Sequence, residues 1–325
     1  MPSCPAWQAL SRCSSLLRRR APTVKAAERK WKAEAVSTAS LTELLDRDGI
    51  ILAPGVFDGF SARLADRAGF DALYMTGYGV SASRYGLPDA GLVGLGEMVD
   101  ALRMIRSVTT KPIIADADTG YGGLLNVRHT VRQYEAAGAS AIQIEDQDFP
   151  KKCGHTLGRR LIGTDAMVAK VTVAVEARQN ADTLIIARTD ARTEFGLEEA
   201  IARARAYHAA GADILFVESP ESEQELETIG RALDAPLLAN MVGSGGRTPE
   251  LPASKLHALG FKIAIYPGIG FGAALPAMEG AFAHLRQAGE IPKNGPQPIT
   301  GAHKLVGFPE IWALEKDWDK RFREE

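Results

Sequence analysis

The sequence predicts an α/β protein built as a (β/α)8 TIM barrel, and two repeating features carry that prediction. The first is a series of short apolar segments separated by stretches of helical periodicity. In chain order they are IILAPGVFD, DALYMTG, KPIIADAD, SAIQIED, TLIIARTD, DILFVES, APLLANMV and KIAIYPG. They lack polar alternation, which is typical of strands buried on both faces of a parallel sheet. Their number favours a closed barrel, the alternative being an open doubly wound sheet.

The second feature is a loop sequence that precedes four of these segments. In RAGFD, AAGAS, AAGAD and ALGFK a glycine follows an amphipathic stretch, and a strand segment begins shortly afterwards. Helices commonly end on such a glycine because the left-handed backbone conformation favours a residue without Cβ. We therefore predict helix-to-strand turns at Gly69, Gly138, Gly211 and Gly260.

Three regions are predicted along the chain. Residues 1–37 have no acid before Glu28 and carry several arginines among serines and alanines, the composition of a disordered basic tail or a mitochondrial transit peptide. The catalytic barrel is expected over residues 38–290. Residues 291–325 end in GFPEIWALEKDWDKRF, an amphipathic and aromatic stretch that predicts a C-terminal helix packed on another subunit or on its own barrel.

Composition narrows the range of partners. With 46% hydrophobic residues, 24% charged residues and a net charge of -2, the chain has no field that would recruit nucleic acid or an anionic membrane. Its 3 cysteines are widely spaced, which argues against a disulfide framework and favours a reducing compartment. We expect a cytoplasmic protein with a small-molecule partner, or a mitochondrial matrix protein if the tail is a transit peptide.

Acidic residues follow the third and fourth segments, at the rim where a barrel carries its active site. Asp116 and Asp118 are two positions apart, so on one strand they would point to the same face. With Glu145 and with Asp89 from the loop GLPDAG, they predict a site for Mg²⁺ or Mn²⁺, which prefer oxygen ligands. The alternative is that Asp118 only begins a turn and that Asp116 caps a backbone group.

Substrate-binding groups are predicted at the ends of other segments. Arg188 presents a planar fork suited to a carboxylate, the alternative being an ion pair with Asp190 or Glu218. Asn240 can donate a hydrogen bond to an anionic oxygen. The backbone N–H groups of residues 76–79 can approach such an oxygen closely because of the two glycines there.

The motif KKCGH, which ends at His155, contains the strongest candidate for proton transfer. Cys153 lies in a loop after the fourth segment, between lysines and a histidine. Neighbouring positive charge lowers the pKa of a thiol from about 8.5 and makes it usable for proton transfer near neutrality. The alternative is an idle loop cysteine.

The ordered motifs ADADTGYGG, IEDQ, KKCGH and ARTD resemble the isocitrate lyase and phosphoenolpyruvate mutase superfamily, from about Leu52 to the C-terminal helix. The resemblance implies a Mg²⁺-dependent barrel whose last helix is exchanged between subunits of a homodimer or homotetramer. It implies that Asp116 binds the metal directly, with Asp118, Asp89 and Glu145 acting through water. The implied substrate-binding residues are Thr76, Gly77, Tyr78, Gly154, Arg188, Glu218 and Asn240. The implied catalytic residues are Cys153, His155 and Arg188.

The motifs are most similar to those of 2,3-dimethylmalate lyase-like and methylisocitrate lyase-like members. Members with a CGH loop resemble carbon–carbon lyases, in which a cysteine protonates the carbanion released by retro-Claisen cleavage. Methylisocitrate lyases carry an arginine shortly after the eighth segment, where this chain has Gly272. Losing that charge-assisted contact, about 1.5–3 kcal/mol, favours a dicarboxylate, although Arg247 could supply part of the anion binding.

The sequence therefore predicts an oxo-acid lyase that cleaves a 2-alkylmalate such as 2,3-dimethylmalate to pyruvate and a short carboxylate. The alternatives within the superfamily are methylisocitrate lyase, oxaloacetate hydrolase and carboxyphosphonoenolpyruvate phosphonomutase. From another class, the alternative is an inactive barrel that serves as a binding subunit, which the acidic rim argues against.

Overall fold

The computed structural model describes residues 39–243, 245–292 and 299–323, and their strands form a closed parallel barrel in sequence order. The predicted (β/α)8 barrel is confirmed. The predicted tail lies outside the described residues, and the boundaries of the three predicted regions stay predictions. The strands are β1 Ile51–Val56, β2 Leu73–Met75, β3 Ile113–Asp116, β4 Ala141–Glu145, β5 Leu184–Thr189, β6 Ile214–Val217, β7 Leu237–Asn240 and β8 Phe261–Tyr266.

Helices alternate with these strands and continue after the barrel closes. A π-helical turn, Ser81–Tyr85, follows the third of them. In chain order the helices are α1 Leu41–Leu45, α2 Gly59–Arg67, α3 Gly77–Val80, α4 Leu95–Arg106, α5 Leu124–Ala136, α6 Thr164–Ala177, α7 Ala191–Phe195, α8 Leu197–Ala209, α9 Glu223–Ala232, α10 Ala253–Ala258, α11 Ile269–Ala288, α12 Ile299–Val306 and α13 Phe308–Arg323. Among the described helices, none combines the length and apolarity needed to cross a membrane.

The four predicted helix-to-strand turns are confirmed. Gly69, Gly138, Gly211 and Gly260 have φ angles of 87°, 94°, 102° and 95°, in the region that favours glycine. Each stands between the end of a helix and the start of the next strand. The local sequence thus sets the chain reversal that returns each helix to the base of the barrel.

Apolar side chains fill both faces of the sheet. The barrel interior holds a cluster that includes Tyr74, Ile114, Ile186, Phe216 and Ile263, each at most 3% exposed. A second, larger cluster packs between the outer faces of the strands and the surrounding helices. This two-sided burial is why the strand segments show no polar alternation.

Close packing at Gly230 of α9 gives a test of the fold. A Cβ at this position would overlap the carbonyl oxygen of Leu259, in the turn that leads to β8. Alanine normally stabilises a helix by about 1 kcal/mol relative to glycine. We nevertheless expect Gly230→Ala to lower the free energy of unfolding by about 1–3 kcal/mol because the backbone must move.

The matched control is Gly96 in α4, where an added Cβ meets no atom within 4 Å. Gly96→Ala is expected to raise the unfolding free energy by a few tenths to about 1 kcal/mol. Urea unfolding followed by circular dichroism measures both changes. Equal stabilisation by the two substitutions would show that α9 does not pack on this turn as described.

Candidate active site

The strands end at one rim, and a cavity of about 310 Å³ opens there. This is where a parallel barrel is expected to carry its chemistry. The predicted residues that line the cavity are Thr76, Tyr78, Asp89, Asp116, Cys153, Gly154, His155, Arg188, Glu218 and Asn240. The other predicted residues are Gly77, Asp118 and Glu145, which are buried and contact residues of this lining.

A larger cavity of about 700 Å³ adjoins the first through Val242 and Gly268. Its lining contains Glu250 and Tyr266 but none of the predicted site residues. The smaller cavity therefore holds the titratable groups that chemistry requires.

Asp116 and Asp118 lie close together, as predicted, but they are not brought together by sharing a strand. β3 ends at Asp116, and Asp118 follows in a turn with φ 48°, so the two are not on one strand. The N–H of Asp118 donates to Asp116 Oδ1 at 3.1 Å, which holds the turn in place. Gly77 is required beside them because a Cβ there would lie 2.8 Å from Asp116 Oδ2.

Lys151 is a site residue that the sequence reasoning missed. Its ammonium group makes ion pairs with Asp89 and with Asp118 Oδ1, the latter at 2.6 Å, and its side chain is 3% exposed. Burial alone would lower the pKa of this lysine, but the surrounding carboxylates raise it well above its ordinary value. The available signal was its place two residues before Cys153, in the motif KKCGH.

Four carboxyl groups surround Lys151, which makes ion pairs with two of them. The four, which we call the acidic group, are those of Asp89, Asp116, Asp118 and Glu145. Glu145 Oε1 is buried without a hydrogen-bond partner among the described residues, and burial raises the pKa of this carboxyl despite the nearby Arg188. Burial also raises the pKa of Asp118 to about 7, against the opposing charge of Lys151. A hard cation would stabilise the ionised forms of these carboxyls.

The residues present fit Mg²⁺ held partly through water. In the described ranges, no three His, Cys, Asp or Glu side chains are placed to grip a bare ion together. Mg²⁺ retains several waters and is commonly held by one or two carboxylates. Asp116, which faces the cavity, suits direct contact, with its acidic neighbours reached through water.

Arg188 ends in the cavity with its guanidinium held by three carboxylates. Nε and Nη2 donate to Asp190 at 3.0 and 2.9 Å, Nη1 lies 3.4 Å from Glu145 Oε2, and Nη2 lies 3.4 Å from Glu218 Oε2. Burial would lower the pKa of Arg188, but the carboxylates raise it well above its ordinary value. The alternative ion pairs are confirmed, and the same side chain also lines the cavity.

Glu218 joins the end of β7 to the loop that carries His155. Its carboxylate accepts from Asn240 Nδ2 at 3.0 Å and lies 3.3 Å from His155 Nε2. Burial would raise the pKa of Glu218, but Arg188 and His155 lower it below its usual range. The N–H of Arg247 donates to His155 Nδ1 at 3.2 Å, which leaves the ring proton on Nε2, facing Glu218.

Cys153 faces the cavity, but the predicted influence of the lysines is wrong. Burial raises the pKa of the thiol, outweighing a hydrogen bond from the backbone of His155 that lowers it. Lys151 points to the acidic group and Lys152 donates to the carbonyl of Gly158. The thiol is therefore held protonated at neutral pH, which suits a proton donor.

Gly154 allows this loop to approach the substrate-binding residues closely. A Cβ at this position would overlap Arg188 Nη2 and lie 2.8 Å from Glu218 Cγ. Ser219 Oγ donates to the Gly154 carbonyl at 3.0 Å and fixes the backbone there. Any larger residue would push the loop away from the cavity.

One wall of the cavity is apolar, and the sequence reasoning missed most of it. Val242 and Pro267 line the cavity together with Tyr74 and Tyr78. The Tyr78 ring packs edge-on against Phe271 at 5.9 Å between centroids. These residues surround the polar groups with surface suited to alkyl substituents.

The guanidinium of Arg247 lies 3.3 Å from Glu221 and does not line the cavity. Gly272, the position discussed above for an additional carboxylate contact, lines the larger cavity instead. Of the described residues that line the smaller cavity, Arg188 is the one lysine or arginine. The described lining of this cavity therefore offers one arginine and no lysine to anionic groups.

Comparison with known proteins places this geometry in context. The pattern of the phosphoenolpyruvate phosphomutase family matches residues 41–286. A 2,3-dimethylmalate lyase of Eubacterium barkeri is 48% identical over 250 residues, covering 77% of this chain and 86% of that protein. A 2-methylisocitrate lyase of Aeropyrum pernix is 45% identical over 249 residues, covering 77% and 80%.

Solved structures agree with the sequence relatives. A trigonal crystal form of 2,3-dimethylmalate lyase superposes with a TM-score of 0.80 at 41% identity, covering 84% of this chain and 92% of that one. Oxaloacetate acetylhydrolase with the inhibitor 3,3-difluorooxalacetate gives a TM-score of 0.82 at 35% identity, covering 86% and 96%.

Proposed function

The chain belongs to the phosphoenolpyruvate phosphomutase family, within the PEP mutase/isocitrate lyase superfamily, and on that premise we propose that it cleaves a 2-alkylmalate such as 2,3-dimethylmalate to pyruvate and a short carboxylate. It is a carbon–carbon lyase, as its named relatives are. The observation that carries the proposal is that Cys153 lines the same cavity as Arg188 and Asp116.

The reaction breaks the bond between C2, which carries the hydroxyl, and C3. As the hydroxyl proton passes to solvent water, the O–H bonding electrons form the C=O bond of pyruvate, and the C2–C3 pair remains on C3. Arg188 binds the carboxylate next to the keto group, and Cys153 Sγ–H donates its proton to C3. The thiolate takes a proton back from solvent when the products leave, so the proton lost from the hydroxyl balances the proton gained by C3.

Asp116 would hold Mg²⁺ directly, with Asp118, Asp89 and Glu145 acting through water. When bound, the ion supplies positive charge near the oxygen on which negative charge develops. The carboxylates hold the ion on one side of the cavity. Lys151 fixes Asp118 and Asp89 by its ion pairs.

The walls of the cavity favour an alkyl-substituted dicarboxylate. One carboxylate meets Arg188, and the other meets the backbone N–H of Tyr78 and the amide of Asn240. The alkyl groups face Val242 and Tyr78. A third carboxylate would face this apolar wall without a cationic partner, at a desolvation cost.

A substrate panel tests the proposal. Pyruvate release is measured from 2,3-dimethylmalate and from methylisocitrate, oxalate release from oxaloacetate, and carboxyphosphonoenolpyruvate serves as the phosphonate control. We expect the highest kcat/KM with 2,3-dimethylmalate. A higher value with any other member of the panel would replace the proposed substrate, and turnover of none of them would favour the inactive binding subunit.

Metal removal is expected to abolish cleavage. Dialysis against EDTA should reduce the rate to background, and Mg²⁺ or Mn²⁺ should restore it. In Asp116→Asn, the Mg²⁺ concentration for half-maximal activity should rise by at least about tenfold because a charged ligand is lost. Full activity of the dialysed enzyme would contradict a metal requirement.

We also propose a homodimer or homotetramer in which α11 to α13 pack on a second copy. α11 buries none of its side chains in the described chain, and Phe282 is 63% exposed. Trp312 and Trp318 of α13 are about half exposed. Exposed apolar surface of this extent marks an interface.

Light scattering measures the assembly. We expect wild type to have at least twice the mass of one chain, and Phe282→Glu to lower the mass at micromolar concentration because a charge would be buried. The control is Leu125→Glu, on the exposed face of α5, which should leave the mass unchanged. If Leu125→Glu lowers the mass and Phe282→Glu does not, the interface lies on α5 and not on α11.

We place the protein in the cytoplasm, or in the mitochondrial matrix if residues 1–37 act as a transit peptide. The support is compositional: few cysteines and a basic, serine-rich start. A fluorescent fusion of the full chain compared with one lacking residues 1–37 distinguishes the two compartments.

A further inference from the structure

A second cluster of buried charges lies behind Arg188. Asp190 Oδ2 accepts from Arg188 Nε at 3.0 Å, and Oδ1 accepts from Arg188 Nη2 at 2.9 Å. The same Oδ1 also accepts from Arg159 Nη1 at 2.6 Å. One carboxylate oxygen therefore holds two guanidinium groups, one from β5 and one from the loop that carries the catalytic thiol.

Arg159 depends on Asp190 for its buried position. It belongs to the catalytic loop, which we define as residues 151–162 between β4 and α6. Both side chains of the pair are 0% exposed, and Arg159 Nε and Nη2 are buried without a hydrogen-bond partner in the described chain. A buried guanidinium is stable only when it is paired, so this ion pair holds the side chain in place.

Asp190 is itself fixed from behind. Its backbone N–H donates to Asp146 Oδ1 at 2.9 Å. Asp146 Oδ2 accepts from the hydroxyls of Thr189 and Tyr207, each at 2.7 Å. The backbone of Asp190 is therefore held in place. Only its carboxylate, through its contacts with the two arginines, connects it to the catalytic loop.

We propose that Arg159 is a positioning residue that couples the catalytic loop to the orientation of the Arg188 guanidinium, through their shared contact on Asp190 Oδ1. In this arrangement, Oδ1 divides its hydrogen bonding between the two arginines, and Arg188 presents its remaining donors to the cavity. When Arg159 withdraws, Oδ1 binds Arg188 alone and draws its guanidinium toward Asp190. This inference rests on the proposed function, since Arg188 must bind the substrate carboxylate.

Two neighbouring arginines give a matched test. Arg159→Met should lower kcat/KM for 2,3-dimethylmalate by roughly 10- to 100-fold, largely through KM. Arg160→Met should match wild type because Arg160 is 71% exposed and pairs with Asp148 at the surface. Arg159→Lys should recover part of the loss, since it keeps the charge without the planar fork. Wild-type kinetics in Arg159→Met would overturn the proposal.

A double-mutant cycle separates coupling from general loss of structure. If Arg159 acts through Asp190, Arg159→Met should have a much smaller effect on kcat/KM in an Asp190→Asn background than in wild type. Equal effects in the two backgrounds would overturn the proposal. Thermal unfolding checks each variant, and Arg159→Lys replaces Arg159→Met in the cycle if the latter does not fold.

Amide hydrogen exchange tests the coupling without turnover. Oxalate with Mg²⁺, a planar dicarboxylate probe, should protect the amides of residues 151–162 in wild type and protect them less in Arg159→Met. Equal protection in the two proteins would overturn the coupling. If the exchange pattern is as expected but the protein does not cleave 2,3-dimethylmalate, the proposed function is overturned and the coupling stands.

Discussion

Cys153→Ala is expected to reduce kcat for pyruvate release from 2,3-dimethylmalate by about 10²–10⁴-fold, the usual contribution of a positioned proton donor. The carbanion at C3 would then be protonated by water, which is a weaker and less well positioned acid than the thiol. Oxalate affinity should stay within about threefold of wild type, because Arg188 and the acidic group that hold this probe are unchanged. Stopped assays for pyruvate and calorimetric titration with oxalate measure the two quantities.

The control for this substitution is Cys13→Ala, which removes a thiol from the N-terminal 37 residues and should leave kcat unchanged. Cys153→Ser should resemble Cys153→Ala, since a hydroxyl is a much weaker acid than a thiol. Full activity of Cys153→Ala would remove the thiol from the mechanism. Weaker oxalate binding together with lost turnover would instead assign Cys153 a structural role.

Arg188→Lys is expected to lower kcat/KM by about 10²–10³-fold although the charge is kept. A lysine cannot reproduce the bidentate contact with Asp190 while also reaching Glu145, Glu218 and the substrate. The buried carboxylates would lose hydrogen bonds, so thermal stability should fall as well. Steady-state kinetics and thermal unfolding measure the two effects.

Arg192→Lys is the control because Arg192 also makes a bidentate contact, with Glu225, but does not line the cavity. Its kcat/KM should stay within about threefold of wild type. If both substitutions have the same small effect, Arg188 does not bind the substrate.

The fold could be predicted from the sequence because its signals are local. Apolar strand segments and helix-ending glycines are recognised from a few adjacent residues. Their repetition along the chain predicted the barrel. The convergence of Asp116, Arg188 and Glu218 followed as well, since strand ends meet at one rim. Each of these residues could be predicted from its position at the end of a strand segment.

Other features depend on side-chain directions that sequence spacing does not reveal. Lys151 and Lys152 stand beside Cys153 in the sequence but point away from its thiol, so burial decides the direction of its pKa shift. The left-handed turn at Asp118 breaks the strand on which the spacing argument depended. The pairing of Arg159 with Asp190 joins residues 31 positions apart.

Cleavage of 2,3-dimethylmalate in D2O tests the central claim most directly. Solvent deuterium exchanges onto the thiol, so protonation of the C3 carbanion should yield pyruvate and propanoate with one deuterium on the carbon next to its carboxylate. Proton and deuterium NMR of the products measures this position. We predict equimolar pyruvate and singly deuterated propanoate; no pyruvate, or propanoate without deuterium, would contradict carbon–carbon cleavage completed by a solvent-exchangeable acid.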